Sequence, residues 1–294
     1  MIDDECFGLS FFLHMMLPTR KLTLRSVALT LLVVLCIGND ASAQLRPLDP
    51  TDFRALGGDR IRVQVGGGVY FQQHASLAGV RGRLIEIGDT RVSYRTGRIV
   101  IEIGGTLQRF FREDTVIQPP AEGVNASSIQ RTRHDAGDYR VQTVVRLTPD
   151  EVNTAVILRF GTRLPTTDNR VGLERDQTDF FSAVGAGRAL GPLYLGAEAG
   201  ISINGTRLSN YEQSDVLIYA GNIEYRGRFV SPFVAVVGQE DFRKRAARGN
   251  EDLGELRAGI RVGKRHWLSA TMLHGFQESS PRNGFALSIG AAFR

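Results

Sequence analysis

From Asp138 to the C terminus, apolar and polar side chains alternate in stretches of about ten residues, and the gaps between the stretches are by turns short and long. Period-two alternation means strands, because successive side chains on a strand point to opposite faces. Ten-residue strands joined alternately by tight turns and long loops are the plan of a transmembrane β-barrel, with one face toward lipid and the other toward a lumen.

The parity of the apolar residues assigns the faces. Phe285, Leu287, Ile289, Ala291 and Phe293 share one face of the last strand, opposite Gly284, Ala286, Ser288 and Gly290. Leu256, Ala258, Ile260 and Val262 oppose Glu255, Arg257 and Arg261, and Leu193, Leu195, Ala197, Ala199 and Ile201 oppose Tyr194, Glu198, Ser202 and Asn204. Val141, Thr143 and Val145 oppose Arg140, Gln142 and Arg146. Upstream, Ile61, Val63, Val65, Val69 and Phe71 oppose Arg62, Gln64 and Gln72, and Ile99, Ile101, Ile103 and Leu107 oppose Arg98, Glu102 and Gln108. The stretch from Gly79 to Arg95 reads either as one long strand turning at Thr96-Gly97 or as two turning at Asp89-Thr90, since both dipeptides suit a hairpin. Counted once, it gives an all-β antiparallel transmembrane barrel of about twelve strands, an even number as bacterial barrels require.

A soluble β-sandwich also alternates, but it turns its polar face to water. Three features favour the barrel: an export segment, the asymmetry of the connections, and aromatic residues near strand ends. Tyr70, Phe71, Phe110, Phe111, Phe160, Phe180, Phe181, Tyr225, Phe229, Trp267, Phe276 and Phe293 are expected to form girdles at the membrane interfaces. The short connections, among them Gly191-Pro192 and Lys264-Arg265, place both ends of the barrel on the periplasmic side.

Residues 1–43 read as a cleavable signal peptide: Arg20, Lys21 and Arg25, then an apolar run from Val27 to Ile37, then Ala41-Ser42-Ala43, with cleavage expected before Gln44. That run of 11 residues is too short for a membrane anchor, which needs about twenty. Cys6 and Cys36 both lie in the removed part, so the mature chain forms no disulfide and no thiolate metal site. Residues 44–59 are expected to be a periplasmic lead-in that caps the rim, with a small plug or gate as the alternative. Asp49 reads as the N-cap, Pro50 as the first residue and Asp52 as an acidic neighbour of one or two helical turns. The barrel itself is assigned to 60–294.

The basic residues are nearly all arginine, with lysine only at 21, 244 and 264, and the arginines recur at every second position of apolar strands. That spacing indicates charge inside a pore rather than a nucleic-acid surface. The parities aim Arg62, Arg98, Arg140, Arg146, Arg159, Arg163, Arg257 and Arg261 into the lumen, with Glu102, Glu198 and Glu255 among them. Fixed positive charges in a constriction favour anions. Arg and Glu in a ladder of pairs would instead crosslink the wall and close it.

The stretch Arg163-Leu164-Pro165-Thr166, a polar loop, Gln177-Thr178-Asp179-Phe180-Phe181 and, after a strand, Arg188-Ala189-Leu190-Gly191-Pro192-Leu193 resembles the outer-membrane transporter-like family labelled meta-pathway of phenol degradation. The resemblance implies a barrel with a transport role for hydrophobic or aromatic compounds, and no catalytic residues.

Other chemistries fare worse. His74-Ala75-Ser76 resembles the His-x-Ser of lipid-acting barrel hydrolases, with Glu86 or Asp89 as an orienting acid. However, its parity matches Arg62 and Gln64 on the lumen side, away from lipid. His134, His266 and His274 have no partner at ligand spacing, and Asp168, Glu174, Asp176 and Asp179 read as solvated loop charge rather than a cation site. Gly66-Gly67-Gly68 precedes no helix, which excludes a phosphate loop. The basic run 243–248 lies in an outer loop, where it could meet lipopolysaccharide phosphates.

The expected protein is therefore a Gram-negative outer-membrane barrel passing small solutes, with neither cofactor nor metal and no enzymatic activity. Its partners would be outer-membrane lipid and lipopolysaccharide, periplasmic chaperones and the barrel assembly machinery, with no nucleic acid. A non-conducting structural or adhesion barrel, acting through its outer loops, is the alternative.

Overall fold

The computed structural model describes residues 45–168, 170–175, 177–205, 214–242 and 249–294. The signal peptide, its cleavage point before Gln44, Asp176 and the basic run 243–248 lie outside the described residues. A single 3-10 turn, Phe53–Leu56, precedes thirteen strands: β1 (Ile61–Ala75), β2 (Val80–Thr96), β3 (Ile99–Val116), β4 (Thr132–Asp135), β5 (Tyr139–Arg146), β6 (Thr154–Leu164), β7 (Asp179–Leu190), β8 (Leu193–Asn204), β9 (Ser214–Tyr225), β10 (Val230–Asp241), β11 (Leu253–Gly263), β12 (His266–Gly275) and β13 (Asn283–Phe293). Every neighbouring pair is antiparallel, and β1 pairs on one side with β2 and on the other with β13, opposite Phe293 at Ile61. Twelve strands thus close into a barrel, while β4 pairs only with the outer end of β3 at Arg109 to Arg112. Closure leaves each of the twelve barrel strands paired on both sides, while β4 keeps one free edge among the described residues.

The stretch from Gly79 to Arg95 is one long strand. Its turn is the one at Gly97, whose φ of 56° is a left-handed conformation that glycine adopts without strain. Gly88, φ 71°, supplies an irregularity inside β2: Gly66 pairs with Asp89 but Gly67 with Ile87, so Glu86 and Asp89 both reach the lumen side across an apparent break in parity. The connection Ser76 to Gly79 between β1 and β2 departs from the expected pattern, being a tight turn on the outer side.

The exterior is apolar from strand to strand. Val184, Ile201, Ile223, Val234, Leu268, Met272, Leu287 and Ile289 are exposed, while the residues between them are buried or half-buried. A belt of this kind, closed all round, is solvated by hydrocarbon and not by water, so the barrel spans a membrane with its strands. Phe160, Phe180, Tyr225, Phe229, Phe276 and Phe293 lie on this outer surface. Tyr70, Phe111, Phe181 and Trp267 do not join that outer girdle: they are buried inside, because they share parity with the inward-facing residues of their strands.

The expected rim-capping segment instead runs through the lumen. Leu45 is buried near the outer end with Tyr70, Ala75, Ala78, Phe111 and Leu173; Leu48 packs against Phe181, Ala183 and Ile218; Phe53, Ala55 and Leu56 are buried with Val100, Val144, Ile157 and Tyr194 toward the periplasmic turns. The expected helix is a single 3-10 turn starting later than Asp49: its cap is Asp52, whose side chain accepts the Arg54 amide at 2.9 Å. Pro50 and Thr51 stay extended because Asp49 and the Thr51 amide are bonded to the wall instead.

Outside the barrel, β4 is held by a carboxylate with a raised pKa. Burial pushes Asp135 up to about 6, helped by the nearby Asp168 and Asp138 carboxylates and opposed by bonds from the Asp168 and Ala136 amides. A pKa raised in the folded state stabilises the protonated form, so the contribution of Asp135 to the docking of β4 is fully present below the unfolded value near ~4 and is lost as pH rises through about 6. Hydrogen exchange of residues 132–138, corrected for intrinsic rate, is expected to show more protection at pH 4.5 than at pH 7.5 in the native protein. Asp135→Asn is expected to abolish the difference.

Candidate functional site: the plugged lumen

Inward charges in a narrow barrel have no bulk water to solvate them, so each needs a partner. At mid-height the partner is Asp49 of the plug. Its Oδ1 accepts Arg257 Nη1 at 2.7 Å, and its Oδ2 accepts Arg91 Nη2 at 3.0 Å and Arg140 Nη2 at 3.2 Å. Its backbone carbonyl accepts Arg159 Nη1 at 2.7 Å. Arg159 is almost fully buried and bonds Glu198 Oε1 at 2.7 Å, while Glu198 Oε2 accepts the Thr51 amide at 3.2 Å. One wall pair therefore clamps two points of the plug backbone. Glu102 lies under the same cluster, bonded by Gln142 Nε2 at 2.9 Å and facing Arg91 Nε at 3.4 Å.

Toward the outer end, Arg46 grips Glu255 with two parallel bonds of 3.0 and 3.1 Å and donates to the Tyr70 hydroxyl at 2.6 Å and to Glu86 at 3.2 Å. This fork-to-carboxylate geometry is the strong form of the charge-assisted bond. Glu86 continues to Arg109 at 2.8 Å, and Arg109 to Glu174, so a residue of the outer loop 165–178 is drawn into the lumen. The same loop sends Arg175 to Asp179 at 2.8 Å, and Arg163 pairs with Asp179 and stands 3.7 Å from Asp138. Toward the periplasm, Arg54 Nε bonds Glu224 at 2.8 Å, and the Phe53 ring lies 5.7 Å from Tyr194. Phe53 fits there because Gly187 and Gly196 carry no Cβ at its edge.

Among the residues singled out from sequence, Arg140, Arg159, Glu102, Glu198, Glu255 and Arg257 meet around the plug. Arg62 sits lower, 3.5 Å from Asp52 and stacked 4.7 Å from the Trp267 ring. Arg261 stacks on the other part of Trp267 at 5.5 Å and has no carboxylate within ion-pair distance among the described residues. Arg163 belongs to the outer end. Two expectations are corrected. Arg98 falls in the β2–β3 turn and is exposed there, since the strand ends at Thr96. Arg146 lies at the periplasmic rim, spending its guanidinium on the Pro149 and Val152 carbonyls and on Asp150 at 3.1 Å.

Spacing alone missed Arg46, Asp49, Arg91, Arg109 and Glu224. Arg91 and Glu86 lay in the stretch of uncertain strand count. Arg46 and Asp49 lay in a segment with no periodicity, which leaves side-chain direction undefined.

The hydrolase arrangement does not assemble. Gln72 (φ 57°) forms a bulge in β1, Tyr70 pairing with Leu84 but Gln73 with Gly82. Alternation is shifted there, and it is the next residue, Gln73, that is buried and donates to the Leu45 carbonyl inside the lumen. His74 Nδ1 stands 3.5 Å from Ser279 Oγ, and Ser76 Oγ accepts the Gly249 amide at 3.2 Å. Glu86 is engaged by two arginines. Among the described residues, no group of three or more His, Asp or Glu is placed to hold a metal ion. Asp168 bonds the Arg170 amide and Glu174 goes to Arg109.

Between the plug and the wall, lined by residues of β1 to β3, β5, β6 and β9 to β13, lies a cavity of about 300 Å³. Asp49, Arg91, Arg140, Arg257 and Arg261 border it beside Phe233 and Leu273.

No protein-family profile matches this sequence, and no curated protein matches it. Solved structures do. An outer membrane channel from Pseudomonas putida F1 superposes with a TM-score of 0.55 at 14% identity, covering 84% of this chain and 100% of that one. The NanC porin superposes with a TM-score of 0.51 at 12% identity, covering 79% and 99%. The chain has the fold of outer-membrane barrels. At such identities the likeness extends to the fold alone.

Breaking a buried ion pair by removing one partner costs about 3–5 kcal/mol, whereas replacing both partners is often nearly neutral. Arg159→Met is expected to lower unfolding stability in detergent by about that range, because Glu198 is left buried without its cation. Arg159→Met with Glu198→Gln is expected to restore most of the loss. Urea unfolding of the three proteins, folded barrel being scored by gel migration of unheated samples, checks the pair.

Proposed function

We propose that the protein is an outer-membrane channel for small solutes, closed at rest by residues 45–56 and favouring anions when that segment withdraws. The observation that carries this reading is the polar nature of the plug's hold at mid-height: Asp49 is bound by three wall arginines and leaves them facing an open lumen when it goes. A barrel meant to stay closed is most stable with an apolar filling, since well-packed hydrophobic side chains replace buried ion pairs at no loss. Charged groups released from such bonds can be solvated again by water or paired with solute ions, which an apolar filling cannot, so they suit a stopper that moves.

The unmatched guanidinium of Arg261 and the cavity beside it support passage on the same side of the plug. The resemblance of residues 163–193 to the meta-pathway transporter-like family supports solute transport as well, with hydrophobic or aromatic compounds as the implied cargo. Lipopolysaccharide contact through the outer loops, and delivery by periplasmic chaperones and the barrel assembly machinery, accompany the outer-membrane location proposed here. The apolar ends of the plug, Leu45 in the outer cluster and Phe53 to Leu56 in the other, favour the second reading, a barrel that never opens and acts through its loops.

Planar-bilayer recording separates the two. The native protein is expected to give small, brief openings, and a variant lacking residues 45–56 large, sustained ones with anion preference. Arg257→Glu in the shortened barrel is expected to reduce that preference several-fold. A shortened barrel that migrates as folded on an unheated gel yet stays silent would establish the non-conducting reading.

A further inference from the structure

The plug carries a carboxylate into a wall that is built to receive one. Around Asp49 the wall presents Arg91, Arg140 and Arg257; the first two share Glu102 and the third pairs with Glu255, so three guanidiniums have two wall carboxylates at ion-pair distance until Asp49 arrives. Both Asp49 oxygens are used, Oδ1 by Arg257 and Oδ2 by Arg91 and Arg140, and the three arginines come from three different strands. Guanidiniums converging on the two oxygens of a carboxylate from several directions recognise that group by shape as well as by charge. The neighbouring pairs are already satisfied: Arg159 by Glu198, and Arg109 by Glu86 and Glu174. The cluster at Asp49 is thus the part of the wall whose balance depends on the plug.

The space beside it has the right size for more than an ion. The cavity of about 300 Å³ opens from Asp49 and these arginines onto Phe233 and Leu273, which offer apolar surface within reach of the cationic cluster. The Phe233 ring reaches over Gly259, where any Cβ would collide with it.

We propose that Arg91, Arg140 and Arg257 form a binding site for small carboxylates with an apolar body, that Asp49 occupies this site as an internal surrogate, and that a carboxylate solute withdraws the plug by taking its place. The proposal rests on the channel reading for its physiological sense. The site itself is a matter of binding. Because a built-in competitor lowers apparent affinity by the fraction of time the site is free, removing it must raise affinity.

Trp267 is the single tryptophan, and it is stacked by Arg62, whose partner Asp52 belongs to the plug, so its fluorescence reports plug position. With full-length barrel in detergent, benzoate is the probe and benzamide its neutral match. Benzoate is expected to change Trp267 emission saturably, at concentrations ~10-fold lower in Asp49→Ala than in the native protein. Benzamide is expected to do nothing, and Arg257→Met added to Asp49→Ala is expected to remove the benzoate response. Asp49→Asn, which keeps the shape and drops the charge, serves as a second variant, and unheated gel migration confirms folding for each.

Equal responses to benzoate and benzamide, equal affinity in native protein and both Asp49 variants, or a response indifferent to Arg257→Met would overturn the proposal. If the barrel lacking residues 45–56 conducts while benzoate fails these tests, the channel stands and the carboxylate site falls. If benzoate passes them while that barrel is silent, the site stands and the channel reading falls.

Discussion

A closed barrel in hydrocarbon leaves its charged strand residues a single direction to point, and the space they point into is too narrow for them to remain hydrated. This constraint organises the rest of the structure. Alternation puts Arg62, Arg91, Arg109, Arg140, Arg159, Arg163, Arg257 and Arg261 inside, together with Glu86, Glu102, Glu198, Glu224 and Glu255. Guanidiniums stay charged at any accessible pH, so they must find carboxylates, aromatic faces or backbone carbonyls. The wall satisfies most of them, and the segment from Leu45 to Leu56 satisfies the remainder while filling the volume. The aromatic residues on the same parity, Tyr70, Tyr194 and Trp267, serve as surfaces on which arginines stack instead of as membrane anchors.

The plug is fastened unevenly. Its ends are apolar, Leu45 in the outer cluster and Phe53 to Leu56 in the periplasmic one, while its centre is held by ions and backbone bonds. Apolar packing contributes roughly in proportion to buried area and has no direction, whereas the central contacts demand particular partners at particular distances. Such an arrangement seats the segment in one register, because sliding by a single residue would take Asp49 from its three arginines and the Thr51 amide from Glu198. It also places the contacts most responsive to a competing anion at the middle of the lumen.

The outer end obeys the same electrostatics under different solvation. Loop 165–178 folds over the barrel through Glu174, Arg175 and the buried Leu173, and β4 extends β3 beyond the barrel. There the carboxylate of Asp135 is partly buried without a cation, and its pKa rises, whereas in the lumen Glu255 is paired with Arg46 and Glu198 with Arg159.

The sequence by itself determined the barrel and the facing of most strand residues, because a period of two is a local property that survives without knowledge of neighbours. Glu255, Arg257, Arg140, Arg159 and Glu198 were legible for that reason. Where a glycine or a bulge interrupts the period, at Gly88 and Gln72, parity fails downstream, and Glu86, Arg91 and His74 were correspondingly obscure. What only the tertiary structure decided is who meets whom. Arg91, Arg140 and Arg257 are far apart in the chain, and nothing local indicates that they converge, still less that they converge on Asp49. The plug itself is the extreme case: its residues have no periodicity to read, and their positions follow entirely from charges and clefts that exist once twelve strands have closed around them.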